Sequence, residues 1–127
     1  MTVTYDPHAH AEALGLQVAY HPLRTDWGLY VPDHKLVLLR PRMRASTERC
    51  VLAHEIQHHL AGDRRRTDIW SARQERLSDE RAALHLIDRR RLQEAALLSP
   101  DPGQWALELG VTGDILLAYL TRYARAA

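Results

Sequence analysis

Two rhythms of apolar and polar residues run along this chain of 127 residues. Up to about residue 40 the apolar residues come in short runs rich in branched side chains. From about residue 46 onward they recur every three or four positions, the spacing of an amphipathic helix. The early runs Leu16–Tyr20, Trp27–Val31 and Lys35–Leu39 each read as a strand. Pro22 closes the first, and Pro32-Asp33 turns the chain before the third. Ahead of them Asp6-Pro7 opens a short helix, with an acceptor at N-cap and proline at N1; it runs to about Leu14 and stops at Gly15. Three short neighbouring strands predict a small, twisted, antiparallel sheet. Gly28 and Pro32 make the middle strand the least regular of the three.

The remainder reads as helical. Ser46 or Thr47 can cap a helix that carries Leu52, Ala53, Ile56 and Leu60 on one face. Gly62 ends it, and a polar loop Asp63–Asp68 follows. A second long helix is predicted from about Ser71 to Gln93, and Ser99-Pro100 marks a break after it. Two short helices follow, near Gly103–Leu109 and Asp114–Tyr123, with Thr112 and Gly113 at the turn between them. The expected class is α+β: an N-terminal antiparallel three-stranded sheet, then a helical bundle. The length predicts one domain spanning residues 1–127.

Charge and composition narrow the function classes. A formal net charge of +1 gives no general pull toward a polyanion, so direct nucleic-acid binding is not expected. The single cysteine, Cys50, cannot form an internal disulfide, which suits a reducing compartment. No stretch approaches the roughly 18 apolar residues of a membrane span. The first residues lack a charged segment followed by an apolar run, so no signal peptide is read and the expected location is the cytoplasm.

The chemistry concentrates in His54-Glu55-Ile56-Gln57-His58. Histidines four apart on a helix share one face, so two imidazoles can converge on one ion without contorting the backbone. Glu55 then stands beside the ion rather than on it, where it can deprotonate a water and hand the proton to a leaving amine. Catalytic zinc takes three protein ligands and keeps a fourth position open. The third is sought on the next helix, where Glu75 and Asp79 are four apart. Glu75 is the favoured ligand, and Asp79 can accept a hydrogen bond from a ligand histidine. Glu80 is the competitor; it lies roughly 140° round the helix from Glu75, so both cannot face one ion.

The run Val51-Leu52-Ala53-His54-Glu55-Ile56-Gln57-His58-His59-Leu60, followed by Glu75-Arg76-Leu77-Ser78-Asp79-Glu80-Arg81-Ala82-Ala83, resembles the ImmA/IrrE family of metallopeptidases. The resemblance spans roughly residues 15–95 and includes the order of sheet before helices. It implies a zincin-like fold, one zinc ion on His54, His58 and Glu75, and Glu55 as general base. It also implies a protein substrate: a helix-turn-helix repressor of a phage, mobile element or stress regulon. The chain departs from the family pattern at three positions. Ser78 stands for a small alanine, Arg81 for an aromatic residue, and Asp88 where a proline often follows.

Other positions carry weaker expectations. Tyr30, His34 and His85 are candidate oxyanion stabilisers, with nothing in the sequence to choose among them. The strand Lys35–Leu39 is a candidate edge for pairing with extended substrate, or plain sheet core. Cys50, one turn before His54, reads as a small core residue, and His59 points away from the histidine pair. Arg64–Arg66 reads as a solvated loop, and Arg89–Arg91 as a helix end where cations suit the dipole. Residues 107–116 resemble the turn of a helix-turn-helix but lack a basic recognition helix. The functional reading is a zinc endopeptidase. The alternative is a non-catalytic scaffold that binds a regulatory partner, for which Glu55 would have no use.

Overall fold

A computed structural model describes residues 4–64 and 70–123 of the chain. The chain opens with helix α1 (Pro7–Ala13), whose N-cap Asp6 accepts hydrogen bonds from the backbone of His8 and Ala9. Strands β1 (Gln17–Tyr20), β2 (Gly28–Val31) and β3 (Leu36–Leu39) follow, with a turn of 3-10 helix at Pro32–His34 between the last two. Then come α2 (Ala45–Ala61), α3 (Ala72–Leu86), α4 (Arg89–Leu98), α5 (Pro102–Leu109) and α6 (Gly113–Arg122). The α+β class and the order of sheet before the main helices agree with the sequence.

The sheet is mixed rather than wholly antiparallel. Its strand order is β1-β3-β2, with β2 antiparallel to β3 and β1 parallel to it. Burial explains the order. Val37 and Leu39 of β3 are completely buried, whereas β1 is mostly exposed. The most apolar strand takes the middle, and the exposed one takes an edge. β3 is therefore paired on both sides and offers no edge to a substrate. Among the described residues the edge nearest α2 belongs to β2.

α2 lies between two cores. Leu52 and Ile56 pack toward the sheet with Leu16, Tyr30, Val37 and Leu39. Cys50 and Ala53 pack toward α3 and α6 with Ala82, Ala83, Leu86, Ile115 and Tyr119. The expected single apolar face is thus split in two, and Leu60 is about half exposed. Burying a side chain such as Leu52 or Ile56 contributes about 1.5–3 kcal/mol. Such burial holds α2 in place from both sides.

The helix boundaries correct three expectations. α2 starts at Ala45, with Arg44 at N-cap and no side-chain cap, so neither Ser46 nor Thr47 serves. The predicted helix from Ser71 to Gln93 is two helices. Ile87 leaves the helical region to bury its side chain, and Asp88 caps α4 by accepting from the Arg90 amide. Asp88, at the position where the family pattern has proline, thus restarts a helix. Arg89–Arg91 consequently lie at the start of α4, where the dipole disfavours cations and the Asp88 carboxylate offsets them. The start of α3 agrees with expectation: Ser71 and Gln74 form a capping box. Of the loop Asp63–Asp68, residues 65–69 lie outside the described residues.

Candidate metal centre

Two helices supply the site. α2 presents His54 and His58 one turn apart, and α3 crosses it so that Glu75, Ser78, Asp79 and Ala82 face α2. The small, fully buried Ser78, Ala82 and Ala83 allow the close approach. Three donor atoms then meet. His54 Nε2 and His58 Nε2 are 3.1 Å apart, and Glu75 Oε1 lies 3.2 Å from the first and 2.8 Å from the second. Tetrahedral zinc with bonds near 2.0–2.1 Å would hold its ligand atoms about 3.3 Å from one another. The triangle is therefore of the size that one such ion spans, and two imidazoles with a carboxylate suit zinc chemically. Glu55 brings a further carboxylate close: its donor atom and those of His54 and His58 all lie within 4.8 Å of one another, a group that could itself hold a metal ion.

Each imidazole is held from behind. His54 Nδ1–H donates to Asp79 Oδ1 at 2.7 Å. His58 Nδ1 lies 2.9 Å from Asp63 Oδ2 and 3.2 Å from Ser78 Oγ. The Trp70 ring stacks on His58 at 4.2 Å between centroids, with the planes only 11° apart. Glu80 faces elsewhere; its carboxylate lies 3.9 Å from the Arg122 guanidinium.

The electrostatics describe the protein before an ion arrives. Burial opposes a charge on His54, but the hydrogen bonds with Asp79 and Glu75 and the nearby carboxylates outweigh it and push its pKa up to about 10. The hydrogen bonds from His54 and His58 hold the Glu75 carboxyl down at about 2.

A cavity of about 410 Å³ opens beside the cluster. His54, Glu55, Glu75 and Asp79 line one side of it, while Asp26, Gly28, Thr112 and Asp114 belong to the segments that close the other. Gly28 sets how near β2 comes to α2. A Cβ there would meet Val51 Cγ1 at 2.5 Å and Glu55 Cγ at 3.3 Å. The glycine that weakened the strand reading lets β2 lie close against Val51 and Glu55.

Tyr30, His34 and His85 are not among the residues that line this cavity. Tyr30 is buried, with its hydroxyl 2.8 Å from His59 Nδ1, which accounts for His59 as well. His34 is exposed beside the hairpin turn. His85 stacks on Tyr5 and lines a second, smaller cavity. Cys50 is a core residue, as expected, and its Sγ accepts from the Thr112 amide at 3.4 Å; burial pushes the thiol pKa up. Asp63 and Trp70 were not singled out in the sequence. The helix stop at Gly62 was a signal for the first, because such a stop folds the next residue back onto the last turn.

A family model for the IrrE N-terminal-like domain, Peptidase_M78, matches residues 11–120 of the 127. The chain belongs to this family. It is thereby placed among the ImmA/IrrE metallopeptidases, a zinc-associated group. The match runs from the end of α1 through most of α6, so β1–β3, α2 and α3 lie wholly inside it. No curated protein matches the chain. Among the described residues no helix is long and apolar enough to cross a membrane.

Proposed function

We propose that this ImmA/IrrE member is a zinc-dependent endopeptidase in which His54, His58 and Glu75 hold the ion and Glu55 is the general base. The observation that supports it most is the triangle of His54 Nε2, His58 Nε2 and Glu75 Oε1, with buried Glu55 beside it on the wall of the cavity. A bound zinc ion supplies the Lewis acidity that acidifies the attacking water and draws charge from the scissile carbonyl. Glu55 takes the proton of that water and later delivers it to the departing amine. Asp79 keeps the His54 proton on Nδ1, leaving Nε2 to ligate.

The substrate lies extended along β2. Trp27 C=O accepts from the Arg40 amide at 2.9 Å, so with the register Gly28↔Leu39 the backbone N–H and C=O of Gly28 point away from β3. A peptide that adds to this edge passes Glu55 with its backbone fixed. Asp26 and Asp114 flank the cavity, and among the described residues neither Lys nor Arg lines it. Such a wall suits a cationic segment, and a helix-turn-helix repressor, which must bind phosphates, carries cationic residues.

The test is zinc content of the purified protein, then cleavage of helix-turn-helix repressors, beginning with any encoded near its gene. Wild type is expected to carry one zinc and cut. Glu55→Gln is expected to keep the zinc and lose activity by at least about 100-fold, the scale of a general base. Equal cutting by Glu55→Gln would end the proposed mechanism. Zinc binding and partner binding without cleavage would favour the non-catalytic scaffold.

A further inference from the structure

The two imidazoles of α2 are not held alike. Asp79, behind His54, is more than a third exposed and sits on the α3 face that also bears Glu75. His58 is completely buried, and its Nδ1 meets two groups, Asp63 Oδ2 at 2.9 Å and Ser78 Oγ at 3.2 Å.

The placement of Asp63 is built by the chain on both sides of it. Gly62 adopts a left-handed conformation at φ 68°. Its amide donates to the His59 carbonyl at 3.1 Å, and the Asp63 amide donates to the His58 carbonyl at 3.0 Å. This paired pattern is the Schellman stop, and it folds residue 63 back under the last helical turn. On the other side, Gln74 Nε2 donates to the Arg64 carbonyl at 3.3 Å, while the same side chain completes the capping box at Ser71. An ordinary residue after a helix stop leaves its side chain in solvent. The Asp63 side chain is only 15% exposed and points at His58.

The hydrogen-bond chemistry then has one solution for a ligating His58. A neutral imidazole carries one proton, and an ionised carboxylate only accepts. With an ion on Nε2 the single proton sits on Nδ1, where Asp63 Oδ2 at 2.9 Å accepts it, and the Nε2 lone pair faces the space shared with His54 and Glu75. Ser78 Oγ offers the same N–H a second acceptor. Trp70 stacked on the ring opposes its rotation.

We propose that Asp63 and Ser78 are positioning residues: they fix the His58 proton on Nδ1 and so determine how tightly this chain retains its metal ion. The assignment rests on the zinc-centre reading above. Ser78 is one of the positions where the chain departs from the family pattern. The hydroxyl that serine adds to the alanine methyl there is a contribution of this sequence.

The experiment is a competition between the zinc-loaded protein and a fluorescent chelator. Asp63→Ala is expected to lower zinc affinity about 10- to 100-fold, the scale of losing such a partner. Asp63→Asn keeps an acceptor without its charge and falls between Asp63→Ala and wild type. Ser78→Ala lowers affinity severalfold. The double variant loses less than the product of the single losses, because both groups act on one N–H. Nitrogen NMR of zinc-loaded wild type is expected to show the His58 proton on Nδ1. If Asp63→Ala does not fold, Asp63→Asn and Ser78→Ala carry the comparison. Affinities within twofold of wild type across the variants, or an Nε2 proton, overturn the assignment. A wild-type protein that binds zinc and cuts nothing ends the peptidase reading and leaves this one standing. Variants with altered cleavage but unaltered affinity do the reverse.

Discussion

Gly28 is the residue at which one added carbon atom most directly reaches the chemistry. Its φ is not positive, so the demand is purely one of space: a methyl group would stand 2.5 Å from Val51 Cγ1 and 3.3 Å from Glu55 Cγ. Either β2 withdraws from α2 or Glu55 shifts. Overpacking of this kind costs about 1–3 kcal/mol. Gly28→Ala is therefore expected to lower the melting temperature by several degrees and to cut peptidase activity by more than tenfold. Zinc affinity should change little, since Gly28 touches none of the three proposed ligands. Thermal melts, zinc titration and cleavage rates measured together check this. A variant that loses zinc as severely as activity would contradict it. His54 and His58, by contrast, needed no structure to be paired, because the helical period alone sets two histidines four apart on one face.

At the level of elements, the stop of α2 carries the most weight. Gly62 at φ 68° has open space around its would-be Cβ, so an alanine there is opposed by backbone conformation alone. Gly62→Ala is expected to cost about 1 kcal/mol of stability, read as the shift in a denaturant midpoint with unchanged slope. It should also weaken zinc binding, because the turn it forms delivers Asp63. Unchanged stability would mean that the left-handed turn is not needed. Element by element, the sequence spoke clearly where local chemistry decides. Asp6-Pro7, Gly15, Ser71 and Gly62 mark starts and stops that the fold honours. It was silent where burial decides. Nothing local in Lys35–Leu39 says that β3 takes the middle of the sheet and makes the β1 pairing parallel. Nothing in the α3–α4 stretch but Asp88 hinted that Ile87 would leave the helix. The pairing of Glu75 rather than Glu80 with the histidines depends on which face of α3 meets α2. Periodicity could limit that choice to one of the two and could not make it. Residue type alone could not say whether Tyr30, His34 or His85 lines the cavity, since the crossing of β2, α2 and α6 decides that.

For the whole molecule, the linked protonations of the cluster predict how stability varies with pH when the metal is stripped. His54 is raised from 6.5 to about 10, so its share of the stability is complete below pH 6.5 and is lost as pH rises through 10. Glu75 is lowered from 4.5 to about 2, so its share is complete above pH 4.5 and is lost as pH falls through 2. Both contributions stand together between pH 4.5 and 6.5. Chelator-treated protein is expected to melt highest in that window and to weaken on either side, with its helical signal retained. The two cores that clamp α2 contain no proposed metal ligand, which is why the fold should survive the loss of zinc. Loading zinc displaces the His54 proton, so affinity is expected to climb as pH rises toward 10. Melting curves across pH, with and without chelator, check both trends. A chelated protein that melts highest at pH 9 would refute the first.

His58 is sealed from solvent, whereas Glu75 is half open and shares the cavity wall with His54 and Asp79. Among the described residues, the cavity that gives an ion access to His54 and Glu75 is the one in which the proposed peptide would lie. If the proposed peptidase reading holds, metal is expected to load before peptide. A chain already gripped by its substrate would shelter the ion from capture by scavengers in the surrounding solution.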